Sequence, residues 1–176
     1  MRITPWVVVR RALAPIDRVA VGVRGANRSE RYATEVELGA VCQAVAPEDL
    51  AHTAPAPGRE LAVMDTLSAI RPLLDATGLE WGPTGSVGFE LATGVPTATP
   101  ESDLDLVVRV SVGSQNVVPR LTELHRHLQL LSDRVDCQVE TTSGAVALAE
   151  IVGGQSDIIV RTVEGPHLVP RAVALS

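Results

Sequence analysis

The sequence predicts an α+β fold, a mixed sheet with helices packed on it, preceded by a small N-terminal α/β module. Three observations carry that prediction. Apolar residues recur at helical spacing in two stretches, Leu61 to Leu74 and Leu121 to Leu131. Polar and apolar residues alternate cleanly from Arg134 to Glu140. A stretch with two prolines and a glycine, Ala51 to Gly58, separates a head from the body. The expected domains are therefore residues 1–57 and 58–176. With 176 residues, 45% of them hydrophobic, the chain can bury a sizeable core.

Taken in order, Trp6 to Arg10 reads as a strand, and Val19 to Val23 as its partner after a turn at Pro15 to Asp17. Arg28 to Gly39 is expected to be helical, with Ser29 able to cap. Leu61, Met64, Leu67, Ile70 and Leu74 form one face of a helix that Gly78 stops. Leu79 to Gly82 leads into Gly85 and Ser86, and residues 86–93 read as a helix closed by Gly94. After a Pro/Thr-rich loop, 95–102, the run Asp103 to Val110 is a strand. Residues 117–132 form an amphipathic helix that tolerates Pro119 in its first turn. Arg134 to Glu140 is the next strand, followed by a turn at 142–144, a short helix near 147–152 and a final strand over 157–163.

Composition removes several function classes. The aromatics are Trp6, Trp81, Tyr32 and Phe89 alone, too few for base-stacking recognition of nucleic acid. All fifteen basic residues are arginine, so chemistry that needs a lysine is excluded. Cys42 and Cys137 have no CxxC spacing and offer neither a metal knuckle nor a disulfide framework. No apolar run has the length of a membrane span, and Arg10 and Arg11 interrupt the run at Trp6 to Val9, so a soluble, cytoplasmic protein is expected. The formal net charge of −6 is uneven: residues 1–31 carry seven Arg against Asp17 and Glu30, while the remainder carries eight Arg against nineteen acids. A basic head on an acidic body suits an anionic partner, a polyphosphate or an acidic protein; ordinary solubilising arginines are the alternative.

Three features in succession point to one site. Gly85-Ser86 lies at a strand-to-helix junction, where glycine lets backbone approach a ligand and helix-start amides favour phosphate. Asp103 and Asp105 are two apart on a strand, so both carboxylates share a face opposite Leu104 and Leu106. Parallel carboxylates suit a hard cation such as Mg²⁺, although a solvated strand face accounts for the pair equally well. Asp136 on a later strand supplies a third carboxylate for a two-metal site, with Glu140 held in reserve.

This ordered set resembles the polymerase-β-like nucleotidyltransferase superfamily. Sixteen residues separate Ser86 from Asp103, a longer spacing than that superfamily usually shows. The stretch Trp81-Gly-Pro-Thr-Gly-Ser-Val-Gly-Phe-Glu-Leu-Ala-Thr-Gly-Val-Pro followed by Ser102-Asp-Leu-Asp-Leu resembles the phosphoribosyl-dephospho-CoA transferases of malonate decarboxylase, the holo-acyl-carrier-protein synthases. Trp6-Val-Val-Val-Arg-Arg, Val21-Gly-Val-Arg-Gly25, Arg28-Ser-Glu-Arg31 and Pro47-Glu-Asp-Leu50 extend the likeness towards the start, and Ala149-Glu150 and Val160-Arg-Thr162 towards the end. Thr84 stands where an aromatic is expected and Gln138 where an acid is common.

The resemblance implies a nucleotidyltransferase-type sheet and a defined reaction. Phosphoribosyl-dephospho-CoA passes from 2′-(5″-triphosphoribosyl)-3′-dephospho-CoA to a serine of the apo acyl carrier protein subunit of malonate decarboxylase, with diphosphate released. Asp103 and Asp105 would hold Mg²⁺, as two ions; Asp136 would be a third ligand or the base; Gly85 and Ser86 would cradle the triphosphate. Arg24, Arg28 and Arg31 are candidates to contact the donor's phosphates or the carrier, Arg28 and Arg31 sharing a helix face. Neither nucleic acid nor membrane is expected as a partner. The alternatives are a minimal nucleotidyltransferase that adenylylates another protein or a small molecule, and an inactive regulatory relative. His125 and His127, two apart on a helix, diverge and make a poor metal pair.

Overall fold

The computed structural model describes residues 5–25, 30–111 and 114–174. Contacts divide the chain into two compact units: Met1–Ala44 with Thr162–Gly165, and Val45–Arg161 with Pro166–Ser176. The proline-rich stretch 51–58 lies inside the second unit.

The first unit is an antiparallel sheet of three strands, β1 (Val8–Val9), β2 (Arg18–Arg24) and β3 (Arg31–Glu37), in the order β1-β2-β3, followed by a 3₁₀ turn at Leu38–Ala40. The strand β3 corrects the helix expected over 28–39. Tyr32, Thr34 and Val36 are aromatic or β-branched residues at alternate positions, a pattern that fits a pleated surface. Pairing from Arg18↔Glu37 to Arg24↔Arg31 satisfies the whole edge of β2, which β1 covers on its other side at only two positions. Ser29, the expected cap, lies outside the described residues. This unit is thus a β-sheet module, with no α-helix among its described residues.

The second unit is built on a six-stranded mixed sheet in simple sequence order: β4 (Glu80–Pro83), β5 (Leu104–Arg109), β6 (Val135–Thr141), β7 (Gly144–Ala147), β8 (Asp157–Thr162) and β9 (Gly165–Pro170). All the pairings resolved from β4 to β8 are antiparallel except β5–β6, which is parallel. A parallel pair needs a crossover, supplied here by α3 (Val117–Leu128). The remaining helices are α1 (Ala62–Ala76), α2 (Gly85–Thr93), α4 (Leu148–Val152) and α5 (Arg171–Ala174). This is the expected α+β class. The strands β4, β7 and β9 and the last helix are additions to the sequence reading.

The core follows from the apolar faces. Val63, Met64, Leu67, Ile70 and Leu74 of α1 and Leu121, Leu124 and Leu128 of α3 pack with Leu104, Leu106 and Val108 of β5 and with Cys137 and Val139 of β6. Removing one such leucine side chain from water contributes about 1.5–3 kcal/mol. At the sheet edge, Gly82 lets the 3₁₀ turn Pro47–Leu50 lie directly on β4, because a Cβ there would sit 1.8 Å from the Pro47 carbonyl oxygen. No helix among the described residues is long and apolar enough to cross a membrane.

Candidate active site

The parallel register of β5 and β6 places Asp105 beside Asp136, Val107 beside Gln138 and Arg109 beside Glu140. Partners in register point to the same face, and the opposite face carries Leu104, Leu106 and Val108 with Cys137 and Val139, all buried. Adjacent strands lie roughly 4.8 Å apart, so Asp105 and Asp136 are neighbours on one polar face. Asp103 precedes β5 and is anchored by the Leu104 amide, which donates to the Arg134 carbonyl oxygen at 3.0 Å. Its carboxylate lies 3.6 Å from the Arg134 guanidinium.

Glu140 is drawn into other work. Arg109 forms ion pairs with both Glu140 and Glu48, tying the Pro47–Leu50 turn to the sheet. Burial lowers the affinity of Arg109 for its proton, but the Glu48 hydrogen bond and the nearby Glu140 charge raise it overall. Four residues of strand, roughly 13 Å, separate that ion-pair cluster from Asp105 and Asp136. Of the two candidates for the third carboxylate, Asp136 is the one in register with Asp105.

Gly85 opens α2 with φ +62°, a left-handed conformation that side chains other than glycine rarely adopt. A Cβ built there would fall 1.9 Å from Asp105 Oδ2 and 2.8 Å from its Cγ. The start of α2 thus lies directly against the Asp105 carboxylate. The Thr84 amide donates to the Asp105 carbonyl oxygen at 2.8 Å, which fixes the helix entry to β5. No side chain caps α2.

Ser86 is placed differently from a simple phosphate ligand. Its hydroxyl donates to Ser102 Oγ at 3.2 Å, and Ser102 Oγ accepts the Thr99 amide at 2.9 Å. The two motif halves, Gly85-Ser86 and Ser102 to Asp105, therefore touch through a pair of serines and through glycine against carboxylate. Sequence reasoning missed the group that orders the loop between them. Glu90, buried in α2, accepts from Arg59 at 2.6 and 3.0 Å and from the Thr97 and Ala98 amides at 2.7 and 2.8 Å. Burial opposes its ionisation, yet the Arg59 hydrogen bond and the two amides outweigh that and hold it below the usual carboxylate range. Its one sequence signal is a lone acid inside the otherwise uncharged run Gly85–Thr93.

In the first unit, Arg24 and Arg31 face each other across the β2–β3 pair. Since Arg31 stands on a strand, the expected helix face shared with Arg28 is not present; Arg28 itself lies outside the described residues. Cys137 is a core residue whose thiol burial, aided by the Asp136 charge, pushes up to about 12.

Among the described residues no group of three or more His, Cys, Asp or Glu side chains is gathered closely enough to hold a metal ion. The donor chemistry nevertheless fits Mg²⁺, which usually takes one or two carboxylates and completes its shell with water and substrate phosphate. Asp105 and Asp136, registered on one face, are hard oxygen donors of that kind.

Two family models match the chain. The phosphoribosyl-dephospho-CoA transferase MdcG C-terminal domain matches residues 49–172, and the N-terminal domain of the same family matches residues 1–47. Among similar proteins, a phosphoribosyl-dephospho-CoA transferase of Pseudomonas aeruginosa is 42% identical over 166 residues, covering 93% of this chain and 77% of the relative. Those of Pseudomonas fluorescens (strain Pf0-1) and Azotobacter vinelandii are 40% and 39% identical with the same coverage. No solved structure matches the chain significantly.

Proposed function

The chain belongs to the phosphoribosyl-dephospho-CoA transferase family, and from that premise we propose a nucleotidyltransferase-type reaction for it. The donor is 2′-(5″-triphosphoribosyl)-3′-dephospho-CoA, and the acceptor is a serine of the apo acyl carrier protein of malonate decarboxylase, in the cytoplasm. The serine oxygen attacks the phosphorus next to the ribose, a phosphodiester forms, the bond to the β-phosphate breaks, and diphosphate leaves. The serine proton passes to a carboxylate on the β5–β6 face, Asp136 being the candidate base.

The observation that carries this reading is the contact of Gly85 with Asp105, which sets a helix N-terminus beside a pair of carboxylates. The start of α2 favours the donor's phosphates through the helix dipole. Asp103 and Asp105 would hold Mg²⁺, which when bound neutralises charge on the triphosphate and the leaving diphosphate, with Asp136 the third ligand in the alternative where it is not the base. Arg134, next to Asp103, adds a cation at the same end of the strands. Ser86 acts chiefly through Ser102, keeping the two motif halves together.

The test is an intact-mass assay of the apo carrier after incubation with this protein, Mg²⁺ and the donor. The expected result is a gain equal to phosphoribosyl-dephospho-CoA that is lost when Asp105 is replaced by Asn. No gain with intact donor and folded carrier would refute the assignment, and a gain from ATP instead would move the protein to the adenylylating class.

A further inference from the structure

The loop 95–102 fills the long spacing between Gly85-Ser86 and Asp103-Asp105, and its conformation rests on one buried ion pair. Glu90 is 6% exposed and Arg59 26%. The Glu90 carboxylate accepts from the loop, through the amides of Thr97 and Ala98, and from the Arg59 guanidinium, whose Nη2 also donates to the Ala98 carbonyl oxygen at 2.8 Å. The far end of the loop is tied through Ser102, which accepts from Thr99 and from Ser86. Asp103 follows immediately.

A buried ion pair is a weak source of stability, because desolvation offsets its attraction; an apolar pair of similar volume serves a core as well or better. What this pair supplies is position. The carboxylate is satisfied only when the Thr97 and Ala98 amides are in place, so any other loop conformation leaves a charge buried with fewer partners, which is strongly disfavoured. We propose that Arg59 and Glu90 are positioning residues that set the loop 97–102, and through Ser102 the entry to β5, against the start of α2, so that donor binding depends on them. The proposal rests on the functional reading above for the identity of the donor, while the clamp itself is independent of it.

The experiment compares wild type with Glu90→Gln and Arg59→Lys in three measurements. Glu90→Gln keeps the shape of the side chain but replaces one acceptor oxygen by a donor that faces amide N–H groups. Hydrogen exchange should rise in residues 95–102 and stay unchanged in α3. In the transfer assay the KM for the donor should rise on the order of tenfold to a hundredfold, with the KM for the carrier unchanged, and Arg59→Lys should fall between the two proteins. Inorganic diphosphate, titrated calorimetrically with Mg²⁺, should bind more weakly to Glu90→Gln by a similar factor. If Glu90→Gln does not fold, Arg59→Lys carries the comparison alone.

Donor KM and diphosphate affinity equal to wild type in a variant whose loop exchanges faster would overturn the proposal, as would an equal rise in the carrier KM. Absence of transfer by wild type, with diphosphate still bound more tightly than by Glu90→Gln, would refute the donor assignment and uphold the clamp. Failure of wild type to bind diphosphate at all would refute both.

Discussion

Replacing Gly85 by Ala probes the contact on which the site is built. The new methyl group would lie 1.9 Å from Asp105 Oδ2, so the carboxylate must rotate away or α2 must shift. Holding a non-glycine residue at φ +62° costs about 1–2 kcal/mol, and forcing the aspartate off its rotamer adds roughly 0.5–1.5 kcal/mol. The total, about 1.5–3.5 kcal/mol, lowers the Tm of a chain of this length by roughly 3–14 °C. The two parts separate in a double-mutant cycle. In an Asp105→Ala background the atoms struck at 1.9 and 2.8 Å are gone, so Gly85→Ala should then cost only the backbone part, about 1–2 kcal/mol. Thermal unfolding followed by circular dichroism on the four proteins measures both. Equal penalties in the two backgrounds would show that the methyl group never meets the carboxylate, and the packing of α2 on Asp105 would be wrong.

Other predictions follow from the same geometry. Asp136→Asn should abolish transfer in the intact-mass assay, whereas Glu140→Gln should leave transfer intact and cost less than about 1 kcal/mol in urea unfolding, since Arg109 keeps Glu48. Glu90 binds its proton less tightly when folded than when unfolded, so its contribution to stability is present above the ordinary carboxylate range and disappears as pH falls through its lowered value. Stability measured against pH should therefore show a steeper acid limb in wild type than in Glu90→Gln. Arg31→Glu converts a like-charged cross-strand pair with Arg24 into an attractive one, worth roughly 0.2–1 kcal/mol. If these arginines serve an anionic partner, the carrier KM or the donor KM should rise while Tm rises slightly; a rise in Tm with unchanged kinetics would make them surface residues only.

Sequence periodicity was sufficient wherever one face of an element is buried by many neighbours. The leucines of α1 and α3 and the alternation over Val135–Val139 are facts of local spacing, and they place Asp105 and Asp136 on the polar side without any knowledge of the tertiary structure. It failed at β3, where a cap-like Ser29 suggests a helix, while the segment pairs along the whole of β2, a partner that local spacing does not reveal. The strand β7 has four residues, too few to show an alternation, and β9 is mostly exposed, so it has no apolar face to show one. In the site, the position of Asp136 beside Asp105 needed the register of β5 on β6, and the clamp needed Arg59 and Glu90 brought together across 31 positions of sequence.

The parallel register of β5 and β6 also acts as a check on folding errors. Side chains alternate with a period of two, so sliding β6 by one residue would turn Asp136 into the core and Cys137 out of it. The slipped pairing carries a buried charge beside Leu104 and Leu106 and is disfavoured by the same alternation that assembles the carboxylates. That selection resides in the alternation of the strands themselves, not in the crossover that joins them. A single-residue insertion within Val135–Val139 would therefore disturb two things at once, turning Cys137 or Val139 out of the core and taking the β6 carboxylate out of line with Asp105.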